Sequence, residues 1–168
     1  MKKMTFATLV TLLFCIPGMG KDNADLAMNF KGVSTTGEKI VLSELRGKVV
    51  VLDFWASWCG PCRKEFPFLI KLYKEFNSEE DKNLEIVAVN LDEHSENMNK
   101  FLAKLKVETP FPVMPDPKGS LPKLYKVEGM PTTIFIDRKG VIRFRHTGFT
   151  EKERQKYVKE LTQLLNED

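Results

Sequence analysis

Residues 48–67 read KVVVLDFWASWCGPCRKEFP, and this stretch constrains the fold more than any other. Val49–Trp55 is an unbroken run of β-branched, aromatic and aliphatic residues around one aspartate, the pattern of a strand buried on both faces. Pro61 then suits the first turn of a helix, where a missing N–H costs nothing. Phe66, Leu69, Ile70, Tyr73 and Phe76 follow at helical spacing, with Pro67 inside the pattern as an expected kink. A buried strand that runs through a Cys-x-x-Cys turn into a helix implies a sheet covered by helices.

The rest of the chain extends that reading. Leu26–Val33 and Lys39–Leu42 flank the turn-rich STTGE and suggest a hairpin. NLEIVAVNL (83–91) is a second central strand. Ser95–Val107 is an amphipathic helix with Met98, Phe101, Leu102 and Leu105 on one side. FPVMPDPKG is a proline-rich loop with at most a short strand, and 121–127 a short helix. TTIFIDRKGVIRFRHTG reads as a hairpin around 137–140. The last helix starts at Thr150, with a Thr150/Glu153 capping box and an apolar stripe of Val158, Leu161, Leu164 and Leu165. The expected fold is α/β: a central mixed β-sheet flanked by helices, with an N-terminal β-hairpin.

Residues 1–20 differ from this pattern. Lys2 and Lys3 precede an apolar run from Met4 to Ile16, then Pro17, Gly18 and Gly20, the form of an export signal. The run is shorter than the ~20 residues a spanning helix needs, so cleavage is expected over a retained anchor. Cys15 could carry a lipid, but the bulky Phe14 before it argues against that. Residues 21–168 then form one domain, in the periplasm or on the outer face of the cytoplasmic membrane. The chain's formal charge of +3 falls further when Lys2 and Lys3 leave, too balanced to imply nucleic acid, so no nucleic-acid partner is expected.

Without Cys15 only Cys59 and Cys62 remain. A domain of this size needs no staple, and so small a loop barely restricts the unfolded chain. Zinc needs four ligands, and His94 and His146 sit at no ligand spacing; both are read as surface residues. A redox pair fits. The helix N-terminus offers unpaired N–H groups and positive potential to the first sulfur and lowers its pKa. Cys59 is then the nucleophile and Cys62 the resolving thiol. Asp53, inside the buried strand, is expected to have a raised pKa suited to proton exchange. Glu65, beside Arg63 and Lys64, reads by itself as a solvated charge.

WCGPC after a strand resembles thioredoxin, and GMPTTIFID resembles its cis-proline segment. Together with the export signal, the GKVVVLDFWASWCGPC block, the long stretch 91–120 read as a central insertion, and KVEGMPTT, the chain resembles the TlpA/ResA-like extracytoplasmic thioredoxins over roughly 26–165. The resemblance implies a thioredoxin-like fold, Cys59 attacking, Cys62 resolving and a cis peptide before Pro131. It implies that Glu65 is the acidic residue that ResA-like members place near the pair, and Asp53 the buried aspartate of thioredoxins proper. Trp58, Gly60, Pro61 and Met130 are expected to line a substrate groove, and Trp55 to pack inside.

The expected activity is a monomeric protein-disulfide reductase without a bound cofactor. The resemblance points to exported proteins with paired cysteines as substrates, apocytochrome c among them, and to a membrane thiol–disulfide transporter as electron donor. The rivals are a disulfide donor or isomerase, a thiol peroxidase and a copper carrier using a histidine. Gly60-Pro61, the dipeptide of reducing thioredoxins, argues against the first. Ala56, where a peroxidase of the peroxiredoxin type has Thr or Ser, argues against the second.

Overall fold

A computed structural model of the chain describes residues 25–78 and 83–167. The expected export signal, Cys15 and the start of the expected domain lie outside the described residues. Among those described, no helix is long and apolar enough to cross a membrane.

The elements follow in the order β1 (Lys31–Val33), β2 (Lys39–Val41), a 3-10 turn (Leu42–Leu45), β3 (Val49–Trp55), α1 (Cys62–Phe76), β4 (Leu84–Asn90), α2 (Ser95–Lys104), β5 (Val113–Pro115), α3 (Ser120–Leu124), β6 (Thr132–Ile136), β7 (Ile142–Thr147) and α4 (Glu151–Asn166). The main sheet has the order β5-β4-β3-β6-β7. Strands β3, β4 and β5 run parallel, and β6 and β7 run antiparallel to their neighbours. A separate antiparallel pair, β1 and β2, forms the N-terminal hairpin. This is the mixed, helix-flanked, thioredoxin-like sheet expected from the sequence. The 91–120 stretch supplies α2 and the edge strand β5.

All seven residues of β3 are buried. Because side chains alternate across a strand, Val49, Val51 and Trp55 join α1, α2 and α4 in one cluster. Val50, Leu52 and Phe54 join Phe30, Ile40, Leu42, Leu121 and Tyr125 in the other. Fully burying one Val, Leu or Phe contributes roughly 1.5–3 kcal/mol. Five such residues in β3 outweigh the cost of burying Asp53, which shares the face of Val51 and Trp55.

Three details of the helices differ from the sequence reading. In α4 the buried residues are Tyr157, Leu161 and Leu164, at i, i+4 and i+7, while Val158 is exposed; the stripe begins one residue earlier because Tyr157 fills the space over β6. Thr150 caps no backbone N–H, and its hydroxyl bonds the Glu153 side chain instead. Helix α2 stops at Lys104 because Lys106 takes a positive φ of 55°. At the far end of α4, Arg138 donates to the carbonyls of Leu164, Leu165 and Glu167. Those carbonyls lack helical partners, so Arg138 fixes the end of the helix that carries Tyr157.

Candidate active site

Strand β3 delivers the chain to the turn at residues 56–61, which opens α1. Cys59 N–H bonds the carbonyl of Ala56 at 3.1 Å. Asp92, just past β4, holds the turn from the other side. Its carboxylate accepts the Ser57 N–H at 3.0 Å, the Ser57 hydroxyl at 2.8 Å and the Asn90 side-chain amide at 2.8 Å. Under the turn, the Trp55 ring packs 4.5 Å from Phe66 and 5.0 Å from Phe101, as expected for a core residue.

Cys59 and Cys62 form a disulfide with their Cα atoms 5.3 Å apart. Cys59 is 5% exposed and Cys62 1%, so the first sulfur is the more accessible one. The Cys62 N–H, at the start of α1, donates to Cys59 Sγ at 3.2 Å. This is one of the unpaired helix-terminal donors, and it favours negative charge on that sulfur. Trp58 stands 66% exposed beside the pair, and Gly60 and Pro61 are also exposed. The Met130–Pro131 peptide is cis. Since Phe54 pairs with Thr132 across the antiparallel β3–β6 ladder, Pro131 emerges at the same end of the sheet as Trp55. Half-buried Met130 packs against the cluster that contains both cysteines.

Below the disulfide, four elements bring polar side chains into the core. Asp53 comes from β3 and Thr133 from the facing position on β6. Glu65 comes from α1, one turn past Cys62, and Tyr157 from α4. The Thr133 hydroxyl donates to Glu65 Oε1 at 2.6 Å. Tyr157 OH lies 2.8 Å from the same oxygen and 2.9 Å from Thr133 Oγ1. Asp53 Oδ1 and Glu65 Oε2 are buried without hydrogen-bond partners. Burial, which penalises the ionised form, pushes Glu65 up to about 7 against the hydrogen bonds from Thr133 and Tyr157. Burial raises Asp53 well above the usual carboxylate range, and the neighbouring Glu65 raises it further. Thr133 has a single hydroxyl proton, already given to Glu65, so it offers Asp53 little relief. Each carboxyl group is thus shifted toward its protonated form, and the charge of Glu65 disfavours that of Asp53. Tyr157 is likewise pushed up by burial and stays a neutral donor.

Glu65 is therefore not a solvated charge: its side chain turns under α1, while Arg63 and Lys64 stay outside. His146 is not a surface residue either. Its position on β7 turns it under α4, where only 9% of the side chain is exposed. The ring packs 4.8 Å from Tyr157, and Nε2 lies 2.6 Å from Glu160 Oε2. His94 is exposed ahead of α2. Among the described residues, no group of three or more His, Cys, Asp or Glu side chains could hold a metal. Sequence reasoning did not find Thr133, Tyr157, Ser57 or Asp92. A signal existed for Asp92, an acidic residue at the C-terminal end of a central parallel strand, where loops carry function in open α/β sheets. Tyr157 carries no such signal within the pattern of the last helix.

The profile of the AhpC/TSA family matches residues 24–145. The thiol-disulfide oxidoreductase ResA of Bacillus subtilis is 40% identical over 116 residues, which cover 69% of this chain and 62% of that protein. The thioredoxin-like protein YneN of the same organism is 41% identical over 138 residues, 80% of this chain and 78% of its own length. Among solved structures, a putative thiol:disulfide interchange protein DsbE from Chlorobium tepidum superposes with a TM-score of 0.78. It is 41% identical and covers 86% of this chain and 99% of its own.

Proposed function

The chain belongs to the AhpC/TSA family, alongside thiol–disulfide oxidoreductases of the ResA and DsbE type, and we propose that it is an exported protein-disulfide reductase. The observation that carries the direction of electron flow is the pair of buried carboxyl groups behind the disulfide, Asp53 and Glu65. A thiolate at Cys59 gains one N–H bond from Cys62. Negative charge developing on Asp53 or Glu65 in the same low-dielectric interior opposes that thiolate. The reduced state is thus not strongly stabilised, and a pair of that kind gives its electrons away.

In the reduced protein the Cys59 thiolate attacks one sulfur of a substrate disulfide. A Cys59–substrate S–S bond forms, the substrate S–S bond breaks, and the departing sulfur takes up a proton. Cys62 then loses its proton to the carboxyl pair, and its sulfur attacks Cys59 Sγ. The Cys59–Cys62 bond forms, the Cys59–substrate bond breaks, and the second substrate sulfur leaves as a thiolate that takes the proton back from the carboxyl pair. Two electrons pass to the substrate, and an external dithiol must return them to the pair. Asp53 and Glu65 act as the proton reservoir, with Thr133 and Tyr157 fixing Glu65 Oε1. Trp58, Gly60, Pro61, Met130 and Pro131 are assigned to the groove that takes the substrate backbone.

The form of residues 1–20 supports export, to the periplasm or the outer membrane face, where disulfides persist and a dedicated electron donor is needed. The substrates proposed are exported proteins with paired cysteines, apocytochrome c included, and the donor a membrane thiol–disulfide transporter. The test is a trap. The reduced Cys62→Ser variant, mixed with a disulfide-bonded protein substrate, should accumulate a mixed disulfide at Cys59, while the wild type turns over and releases reduced substrate. Failure of the reduced wild type to reduce any protein disulfide refutes the proposal.

A further inference from the structure

Beside the redox pair lies a groove of about 210 Å³ bounded by Ser57, Arg63, Asn97, Lys100, Phe101 and Lys104. Ser57 precedes Cys59 by two residues, and Arg63 follows Cys62 directly. The groove therefore starts at the redox turn and runs onto α2. Its base is the almost fully buried Phe101, and its rim carries three cations. None of the three takes part in an ion pair among the described residues. Lys100 and Lys104 stand one turn apart on the same helix face, where like charges repel unless an anion lies between them. Glu96, the one acidic residue of α2, forms no ion pair among the described residues, and the Asp92 carboxylate is occupied by Ser57 and Asn90. The chain as a whole is close to neutral, so this is a local field at the site and not a general basic surface.

We propose that this groove binds an acidic segment of the substrate polypeptide, within a few residues of the cysteine that Cys59 attacks. The inference rests on the disulfide-reductase reading and adds a rule of substrate choice. The carboxylates of the segment face Arg63, Lys100 and Lys104, and its backbone has Ser57 and Asn97 as polar neighbours. The contact is partly solvated, so it acts mainly on the rate of encounter and on partner choice, and salt weakens it.

The experiment uses the reduced wild-type protein and the K100Q/K104Q variant. Both lysines are exposed, so their exchange leaves the fold and the redox pair intact. Two peptides carry the same internal disulfide, one flanked by three aspartates and the other by three asparagines. The second-order rate of reduction is measured for each at low and high salt. At low salt the wild type should reduce the acidic peptide about fivefold faster than the neutral one. High salt and K100Q/K104Q should each remove that advantage and leave the neutral rate unchanged. Equal rates for the two peptides, or a preference that survives in the variant, overturn the proposal. So does a variant that loses only its binding to phosphatidylglycerol vesicles, which assigns the cations to a lipid surface. If the wild type reduces neither peptide, the reductase reading itself fails, and that outcome is distinct from reduction without preference.

Discussion

Replacing Glu65 by Gln tests the buried carboxyl pair through its effect on stability. The substitution keeps the Oε1 acceptor that Thr133 and Tyr157 bond and removes the ionisable proton. In the fold Glu65 titrates at about 7 against an ordinary value of 4.5. At about 1.4 kcal/mol per pH unit, that difference corresponds to about 3 kcal/mol. Because the folded-state pKa is raised, the folded protein binds this proton more tightly than the unfolded chain. The stabilisation is fully present below pH 4.5 and is lost as pH rises through 7. About 3 kcal/mol is a large share of the ~5–15 kcal/mol that a domain of this kind has in total. The assay is urea unfolding of the oxidised protein from pH 4 to 8, where the disulfide cysteines do not titrate. Wild-type stability should fall relative to E65Q by about 3 kcal/mol across that window. The new Gln amide has no partner and costs the variant roughly 1–3 kcal/mol at every pH, so the change with pH is the readout and not the offset. Parallel profiles would refute the reasoning, because they would mean Glu65 ionises as easily in the fold as outside it.

Other substitutions probe the neighbouring parts. Tyr157→Phe removes a donor that lowers the Glu65 pKa, so the pH-dependent loss of stability should move to higher pH, with an overall cost of about 1 kcal/mol in urea unfolding. Asp92→Ala leaves the Ser57 N–H and the Asn90 amide without their acceptor. It should lower stability by about 1–3 kcal/mol and slow the attack of reduced Cys59 on a small disulfide. Trp58→Ala, at an exposed position, should change stability by less than about 0.5 kcal/mol; stopped-flow rates should fall for protein disulfides and hold for small ones.

Much of this fold was legible because its strongest segments carry one consistent signal. Val49–Trp55 could be placed at the centre of the sheet because no other pattern suits seven apolar-dominated residues without helical period. Cys59 and Cys62 could be placed at the start of a helix by Pro61 and the spacing behind it. The carboxyl pair was only half legible. Asp53 stands in a buried strand and declares itself. Glu65 lies in a run of three charged residues, and whether one of them turns inward depends on what the opposite wall offers. That wall is Thr133 and Tyr157, 68 and 92 residues away along the chain, and no local pattern connects them. His146 was misread for the same reason: α4 covers its side of the edge strand. The stripe of α4 slipped by one residue because Val158 is more hydrophobic than Tyr157, although tyrosine is the residue whose hydroxyl can meet Glu65.

Whether the Cys59–Cys62 pair delivers electrons is read from its reduction potential. Residues 21–168 would be equilibrated against a dithiol redox buffer and the disulfide fraction quantified. The expected value is low, near the roughly −270 mV of a reducing thioredoxin. A value near the roughly −120 mV of a strong disulfide donor would contradict it, because the reduced pair would then be strongly stabilised despite the carboxyl groups behind it.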